Sequence, residues 1–252
     1  MNQASVGFHC PECVKGSTQR VYTAKTLQSS ANPTVTITLI ALNVAVYLFS
    51  TLASGGTPGG DPSFAFQLDW ALIGEGRTQV GPVGVAEGEW YRLISGGFLH
   101  ANLLHIGFNM FALWILGRQI EPVIGRTAFA AVYFASMLAG SLGVMIADPG
   151  ALTVGASGAV FGMFGYALVL QWSRGINPMD TGLGGIILIN LVFTFAVPGI
   201  SIGGHVGGLI GGALAGLLFD VVRPRLGLPA WMGTVLVSVF GFACAVAAVT
   251  LV

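Results

Sequence analysis

Two residue types that can carry out nucleophilic chemistry together, a serine and a histidine, each stand among glycines in this chain. The serine lies in Gly155-Ala156-Ser157-Gly158, and His205 lies in a Gly-Gly-His-Val-Gly-Gly run. A serine hydroxyl becomes an effective nucleophile when a neighbouring base such as histidine takes its proton. The residue types therefore predict Ser157 as a nucleophile and His205 as a general base.

A second polar group, earlier in the chain, can stabilise negative charge. His105 and Asn109 are four residues apart, with His100 just upstream, so the first two share one face of a helix. Their N–H groups and the backbone N–H of Ser157 are suitable donors for a developing oxyanion. No carboxylate accompanies the serine and histidine, which predicts a dyad, and we expect Phe161, one turn after Ser157, to orient the imidazole.

The composition indicates the environment that holds these residues. The chain of 252 residues is 54% hydrophobic and 8% charged, with a formal net charge of zero, whereas a soluble domain carries about 25% charged residues. So little charge cannot cover a globular surface in water, which predicts an all-α polytopic protein in a lipid bilayer. With zero net charge, nothing in the composition indicates a nucleic acid partner, and we expect none.

Seven apolar stretches approach the length of about 20 residues that a membrane-spanning helix needs. They cover residues 34–53, 98–116, 128–147, 157–172, 183–197, 203–222 and 231–252. The fourth and fifth are short. The longest connection, residues 54–97, carries aromatic residues that favour the membrane interface.

The distribution of Lys and Arg predicts the orientation of these spans, because cytoplasmic loops are enriched in them. A cytoplasmic N-terminus leaves only Arg77 and Arg92 of the ten basic residues outside and places the C-terminus outside. The basic residues then inside are Lys15, Arg20, Lys25, Arg118, Arg126, Arg174, Arg223 and Arg225. With this orientation Ser157, His205 and the His105 group all lie at one depth, near the external leaflet.

Stripes of glycine predict how the polar residues come together. Gly204, Gly208, Gly212 and Gly216 recur every four residues along the sixth span, and Gly158 and Gly162 have the same spacing on the fourth. Small residues at this spacing allow membrane helices to approach closely. We therefore expect the fourth and sixth spans to pack against each other and to bring Ser157 near His205.

In their order and spacing, these motifs resemble the rhomboid family of intramembrane serine proteases. The resemblance rests on Gly-Ala-Ser-Gly at 155–158, on His205 in its glycine run, and on His100 and His105 ahead of Asn109. It covers the second to sixth spans. It implies Ser157 as nucleophile, His205 as base and acid, His105 and Asn109 as oxyanion contributors, and His100, Phe161, Gly155 and Gly158 as supporting residues.

The resemblance also implies an architecture. Residues 34–222 are expected to form a rhomboid-like six-helix bundle, and residues 223–252 a linker and a seventh C-terminal transmembrane helix. Arg92 matches an arginine of the family's first loop, although Trp90-Tyr91-Arg92 interposes a tyrosine in the usual Trp-Arg pair. Phe161 stands where related enzymes often carry tyrosine.

The function implied is that of a serine endopeptidase which cleaves transmembrane segments of single-span membrane proteins, in a bacterial inner membrane. An alternative is a non-catalytic rhomboid-like protein that binds the transmembrane helices of client proteins, although such proteins lose the serine or the histidine. A transporter is a third alternative, but the chain has no convincing internal repeat, and its polar residues do not lie at the midplane.

The cytoplasmic N-terminal segment, residues 1–33, contains a partial zinc-ribbon-like motif. His9, Cys10 and Cys13 supply at most three ligands, whereas a structural zinc site has about four. The predicted catalytic chemistry needs no cofactor, and a zinc ion at Cys10 and Cys13 stays an alternative for this segment alone.

Overall fold

The computed structural model describes residues 32–57 and 60–252, together with the backbone of two short N-terminal strands. Strands β1 (Asn2–Gln3) and β2 (Phe8–His9) pair antiparallel. They belong to a unit, Met1–Asn32, that is distinct from the unit formed by Pro33–Val252. Cys10 and Cys13 lie outside the described residues, so the zinc alternative stays a prediction.

The second unit is a bundle of helices. In chain order its elements are α1 (Thr34–Ala53), α2 (Phe64–Trp70), β3 (Gly76–Arg77), β4 (Pro82–Val83), α3 (Arg92–Ser95), α4 (Leu103–Ile124), α5 (Arg126–Ala147), α6 (Ser157–Ser173), α7 (Leu183–Ala196), α8 (Ile202–Gly216), α9 (Arg223–Arg225) and α10 (Ala230–Leu251). A π-helical turn, Leu217–Val222, joins α8 to α9. The prediction of an all-α chain is confirmed, since strands are confined to two short hairpins in the part described.

Five helices of the described residues are long and apolar enough to cross a membrane: α1, α4, α5, α8 with its extension to Arg225, and α10. Helices α6 and α7 fill the remaining two predicted spans but have only 17 and 14 residues. Between Ala159 and Leu170, nearly every side chain of α6 is buried. Helix α6 is therefore the central helix of the bundle, with α4, α5 and α8 packed around it.

The second predicted span, residues 98–116, corresponds to α4, which begins five residues later, at Leu103. Asn102 caps α4, because its side-chain oxygen accepts a hydrogen bond from the backbone N–H of His105 at 2.9 Å, and residues Gly96–Phe98 form a 3₁₀ turn instead. At the other end α4 continues to Ile124 and stops at Gly125, whose φ of +87° favours glycine. The expectation that His100 belongs to this span is corrected: His100 precedes the cap.

Glycine contacts hold α6 against α8, as the stripes predict. A Cβ placed on Gly208 would overlap the carbonyl of Gly158, and one placed on Gly212 would overlap that of Gly162. On its other side α8 lies as close to α5, where a Cβ on Gly207 would lie 2.7 Å from the carbonyl oxygen of Ala139. Such backbone proximity is the packing that small residues permit in membranes.

A buried carboxylate joins α4 to the start of α1. Glu121 is 2% exposed and accepts hydrogen bonds from the backbone N–H groups of Val35 and Thr36 and from the Thr36 hydroxyl, at 2.9, 2.8 and 2.8 Å. The N–H groups of a first helical turn have no partner within the helix. Glu121 satisfies two of them and fixes the packing of α1 on α4.

The long loop between α1 and α4 is organised around Arg92, which is 2% exposed. Its guanidinium donates to the carbonyl oxygens of Leu68 and Ala71 at 2.7 and 2.8 Å and to Glu89 Oε2 at 2.7 Å. Glu89 also accepts from the backbone N–H of Gly84 at 2.7 Å. Arg92 therefore ties α2, the β3–β4 hairpin and α3 into one structure.

Candidate active site

Ser157 is the first residue of α6, and the segment leading into it is held by the long loop. The backbones of Leu72 and Thr153 exchange two hydrogen bonds, at 3.0 and 2.8 Å, and the N–H of Gly155 donates to the carbonyl of Gly96 at 2.9 Å. The loop thus forms a short antiparallel bridge with the residues before the serine, which fixes where α6 begins.

Gly155 brings the serine close to a histidine of another helix. Its φ is +122°, a conformation that favours glycine. A Cβ at this position would lie 2.6 Å from His105 Nε2 and 3.6 Å from Ser157 Oγ. The glycine therefore leaves the space in which the imidazole of α4 approaches the hydroxyl of α6.

His205 lies in the first turn of α8, and an aromatic ring holds its plane. Ser201 caps this helix by accepting from the backbone N–H of Gly204 at 3.1 Å. The ring of Phe161 stacks on the imidazole with centroids 4.0 Å apart and an interplanar angle of 19°. The expected contact between Phe161 and His205 is therefore present, one helical turn below Ser157.

A hydroxyl on α7 determines which nitrogen of His205 carries the proton. Thr194 Oγ1 lies 2.8 Å from His205 Nδ1 and donates its own proton to the carbonyl of Asn190 at 2.8 Å. Since a hydroxyl has one proton, the Nδ1 nitrogen must donate. In the neutral ring the Nε2 nitrogen is then bare and can act as a base.

His105 is held in the opposite tautomer. The backbone N–H of Ala101 donates to its Nδ1 at 3.4 Å, so in the neutral ring the proton is on Nε2. That nitrogen is the one beside Gly155. His105 therefore presents an N–H donor to the region next to Ser157, whereas His205 presents an acceptor.

Asn109 and His100 surround this donor. Asn109 is buried, and its carboxamide donates one hydrogen bond to the carbonyl of His105 at 3.0 Å, which leaves its second N–H free for another acceptor. His100 is fully buried and stands edge-on to His105, with ring centroids 5.1 Å apart. His105 and Asn109, the predicted oxyanion donors, thus lie together, and His100 packs against the His105 ring.

The backbones beside Ser157 and His205 are in direct contact. A Cβ on Gly158, the neighbour of the serine, would lie 3.4 Å from the carbonyl oxygen of Gly204, the neighbour of the histidine. Within the described residues no hydrogen bond yet joins the two side chains. Catalytic hydrogen bonds are often long in the absence of substrate and shorten when it binds.

Comparison with known proteins identifies the family of this chain. Residues 87–220, more than half of the chain, match the Rhomboid domain. The chain belongs to the rhomboid family. The match contains all of the predicted site residues, from His100 to His205.

Individual rhomboid relatives agree with this assignment. The rhomboid protease GluP of Bacillus subtilis (strain 168) is 33% identical over 196 residues, which are 77% of this chain and 36% of GluP. The rhomboid-type serine protease 2 of Emericella nidulans is 32% identical over 154 residues (57% and 30%), and the rhomboid protease GlpG of Yersinia pestis is 28% identical over 165 (66% and 51%). The chain thus spans about a third to a half of these relatives' lengths.

A small cavity opens beside Ser157 in this rhomboid. Its volume is about 30 Å³, and its walls include Ser157, Gly155, Met137, Ser141 and Ser201. A water molecule needs roughly 10–15 Å³ of such space and two or more polar partners. The cavity therefore has room for about two water molecules next to the serine hydroxyl.

One residue of this rhomboid site, Thr194, was not anticipated from the sequence. It lies on α7, which is otherwise strongly apolar, and only the fold brings it to His205. Asn190 and Thr194 are four residues apart, and a polar pair with this spacing in a short apolar helix is the sequence signal that could have indicated it.

Proposed function

We propose that this rhomboid is an intramembrane serine endopeptidase in which Ser157 is the nucleophile and His205 the general base. The observation that carries the proposal is that the two imidazoles beside the start of α6 have opposite partners at Nδ1: a hydroxyl oxygen at His205 and a backbone N–H at His105. Nε2 of His205 is then left without the proton, in a ring that stacks on Phe161 of α6, whereas Nε2 of His105 carries a proton beside Gly155. Acyl transfer requires one acceptor and one donor on either side of a nucleophile.

The reaction follows from these positions. The Ser157 hydroxyl attacks the carbonyl carbon of the scissile peptide while Nε2 of His205 accepts its proton. The carbonyl oxygen becomes an oxyanion, stabilised by Nε2–H of His105, the free N–H of Asn109 and the backbone N–H of Ser157. When the tetrahedral intermediate collapses, His205 returns the proton to the leaving amine, and the acyl-enzyme remains.

Hydrolysis of the acyl-enzyme needs water at a site surrounded by apolar helices. The cavity beside Ser157 supports this step because it is large enough for water and borders the hydroxyls of Ser141 and Ser201. His205 removes a proton from the attacking water, and the tetrahedral intermediate expels the Ser157 oxygen, which takes the proton back. The enzyme is thereby restored.

The topology that we propose has seven spans, with the N-terminus in the cytoplasm and the C-terminus outside. It is supported by the bias of Lys and Arg and by the seven helices α1, α4, α5, α6, α7, α8 and α10. Residues 34–222 form the catalytic bundle and residues 223–252 the linker and the added span. The site then lies toward the external leaflet of a bacterial inner membrane, with single-span membrane proteins as substrates.

Cleavage of a single-span model substrate in proteoliposomes tests this function. We expect the wild type to cleave and Ser157→Ala and His205→Ala to lose cleavage. Ser173→Ala is the matched control, because Ser173 lies at the far end of the same helix, where its hydroxyl donates to the carbonyl of Leu170. Equal cleavage activity of Ser157→Ala and the wild type would contradict the proposal.

The alternative of a non-catalytic rhomboid that binds client helices is separated by a second measurement. A fluorophosphonate phosphonylates an activated serine and forms no adduct with an inert one. Rapid labelling of the folded wild type is expected for the protease. Binding of the substrate helix without labelling or cleavage would favour the client-binding protein, and transport without labelling would favour the transporter.

A further inference from the structure

The catalytic histidine has a partner outside the predicted dyad. Thr194 is 1% exposed, although it lies on α7, whose only other buried side chains are Leu183 and Ile187. Its Oγ1 lies 2.8 Å from Nδ1 of His205. Thr194 is eleven residues before His205, across the turn between α7 and α8, so the contact is formed by the packing of two helices.

The direction of this hydrogen bond is fixed by a second one. Thr194 Oγ1 donates to the carbonyl of Asn190 at 2.8 Å, as hydroxyls in helices commonly do with the carbonyl four residues earlier. Its lone pairs are then the groups that face His205. If Nδ1 were bare, two lone pairs would oppose each other in an apolar environment, which is unfavourable.

Stacking alone cannot select the reactive form of the imidazole. Phe161 contacts the face of the ring, and a face contact is the same whichever ring nitrogen carries the proton. This face contact is also nearly the same when the imidazole is rotated by about 180° in place, which exchanges the positions of its two edges. The Thr194 hydroxyl acts at the ring edge and distinguishes Nδ1 from every other ring atom.

We propose that Thr194 is a positioning residue that holds His205 with Nδ1 protonated and Nε2 directed toward Ser157. This inference rests on the proposed protease function. The order Thr194, His205, Ser157 gives the dyad a neutral third member in place of a carboxylate. A hydroxyl needs no counter-charge when buried, which suits a site inside a bilayer.

The test compares Thr194→Val with Thr194→Ser in the full-length protein, by cleavage of the model substrate in proteoliposomes. Valine keeps the shape and removes the hydroxyl, whereas serine keeps the hydroxyl. We expect the valine variant to lose about 10-fold in kcat with KM unchanged, since orientation of the base matters mainly in the transition state. Serine is expected to restore kcat to within about twofold.

Thr38→Val is the matched control. Thr38 donates to the carbonyl of Thr34 at 2.9 Å, the same bond to the preceding turn that Thr194 makes, but it lies on the exposed side of α1. Loss of this bond alone therefore should leave kcat unchanged. A fall in kcat equal to that of Thr194→Val would assign the effect to helix distortion and overturn the proposal.

Nitrogen-15 NMR of labelled histidine supplies a readout that does not depend on catalysis. The wild-type spectrum at neutral pH is expected to show His205 with Nδ1 protonated, and Thr194→Val to show the Nε2-protonated form or a mixture. A bare Nδ1 in a wild type that cleaves substrate would overturn this inference and leave the proposed function standing. Absence of cleavage by the wild type overturns the proposed function instead.

Discussion

The imidazole of His205 lies face to face with the ring of Phe161, with centroids 4.0 Å apart and planes inclined by 19°. Phe161 and Ser157 are one turn apart on α6, so the helix that carries the proposed nucleophile also carries the ring against which the proposed base packs. Phe161 has no hydroxyl, so this contact acts through shape complementarity and dispersion.

Removing this surface should impair the base. Aromatic pairs contribute about 0.5–1.5 kcal/mol beyond their burial, which corresponds to a fall in kcat of up to roughly 10-fold if the contact is kept in the transition state. We expect Phe161→Leu to show this fall and Phe161→Tyr to stay near wild type. Steady-state cleavage measures it, and equal kcat values for the leucine variant and wild type would contradict the role of the stack.

Alanine at Gly155 should disturb the site in two ways. The left-handed conformation costs a residue with a Cβ about 1–2 kcal/mol, and the methyl group would lie 2.6 Å from His105 Nε2. Gly175→Ala is the control for the first effect, because Gly175 has a φ of +70° and nothing within 4 Å of its would-be Cβ.

We expect both alanine variants to be less stable and only Gly155→Ala to lose most of its cleavage activity. Thermal unfolding in detergent and the cleavage assay separate stability from activity. Full activity in Gly155→Ala would show that His105 is not required where the structure places it.

Glu121 should contribute to stability without affecting the chemistry. Glu121→Ala leaves two backbone N–H groups and the Thr36 hydroxyl without their acceptor, and each unsatisfied buried group costs about 1–3 kcal/mol. The variant should unfold at clearly lower temperature, while the kcat of the folded fraction stays near wild type. An unchanged unfolding midpoint would show that the hydrogen bonds from α1 to Glu121 on α4 do not contribute to stability.

The loop that supports Ser157 should loosen in acid. The hydrogen bond from Arg92 holds the pKa of Glu89 below its ordinary value of 4.5. Its contribution to stability is therefore complete above that value and is lost as pH falls through the lower pKa of the folded state. Fluorescence of Trp90, which is 61% exposed on this loop, should change as pH falls below about 4.5.

Glu89→Gln provides the comparison for this acid transition, because its side chain does not ionise in this range. Its fluorescence should already resemble the acid form at neutral pH and should vary little below pH 4.5, the ordinary pKa of the carboxyl that it replaces. An acid transition of the same size and midpoint in Glu89→Gln would show that another group, and not Glu89, causes the fluorescence change.

Much of the site was predictable because it follows from residue type and helical period. Ser157, His205, His105 and Asn109 are polar residues within apolar runs, where such residues are costly. Glycines at four-residue intervals predicted the contact of α6 with α8. These are local patterns, and the structure shows the contact of α6 with α8 that the glycines predict.

What was not predictable depends on hydrogen bonds between distant segments. The start of α4 is set by the Asn102 cap rather than by the first apolar residue, so the predicted span began at 98 and included His100. The role of Arg92 depends on the carbonyls of Leu68 and Ala71, which have no signature in the sequence. The contact of Thr194 with His205 exists only because α7 and α8 pack.

The most direct test of the central claim is to identify the residue that a fluorophosphonate modifies, by peptide mass mapping of wild type and His205→Ala. We expect a single adduct on Ser157, formed rapidly in the wild type and at least about 100-fold more slowly in His205→Ala. Modification of another serine, or equal rates in the two proteins, would contradict a Ser157–His205 dyad.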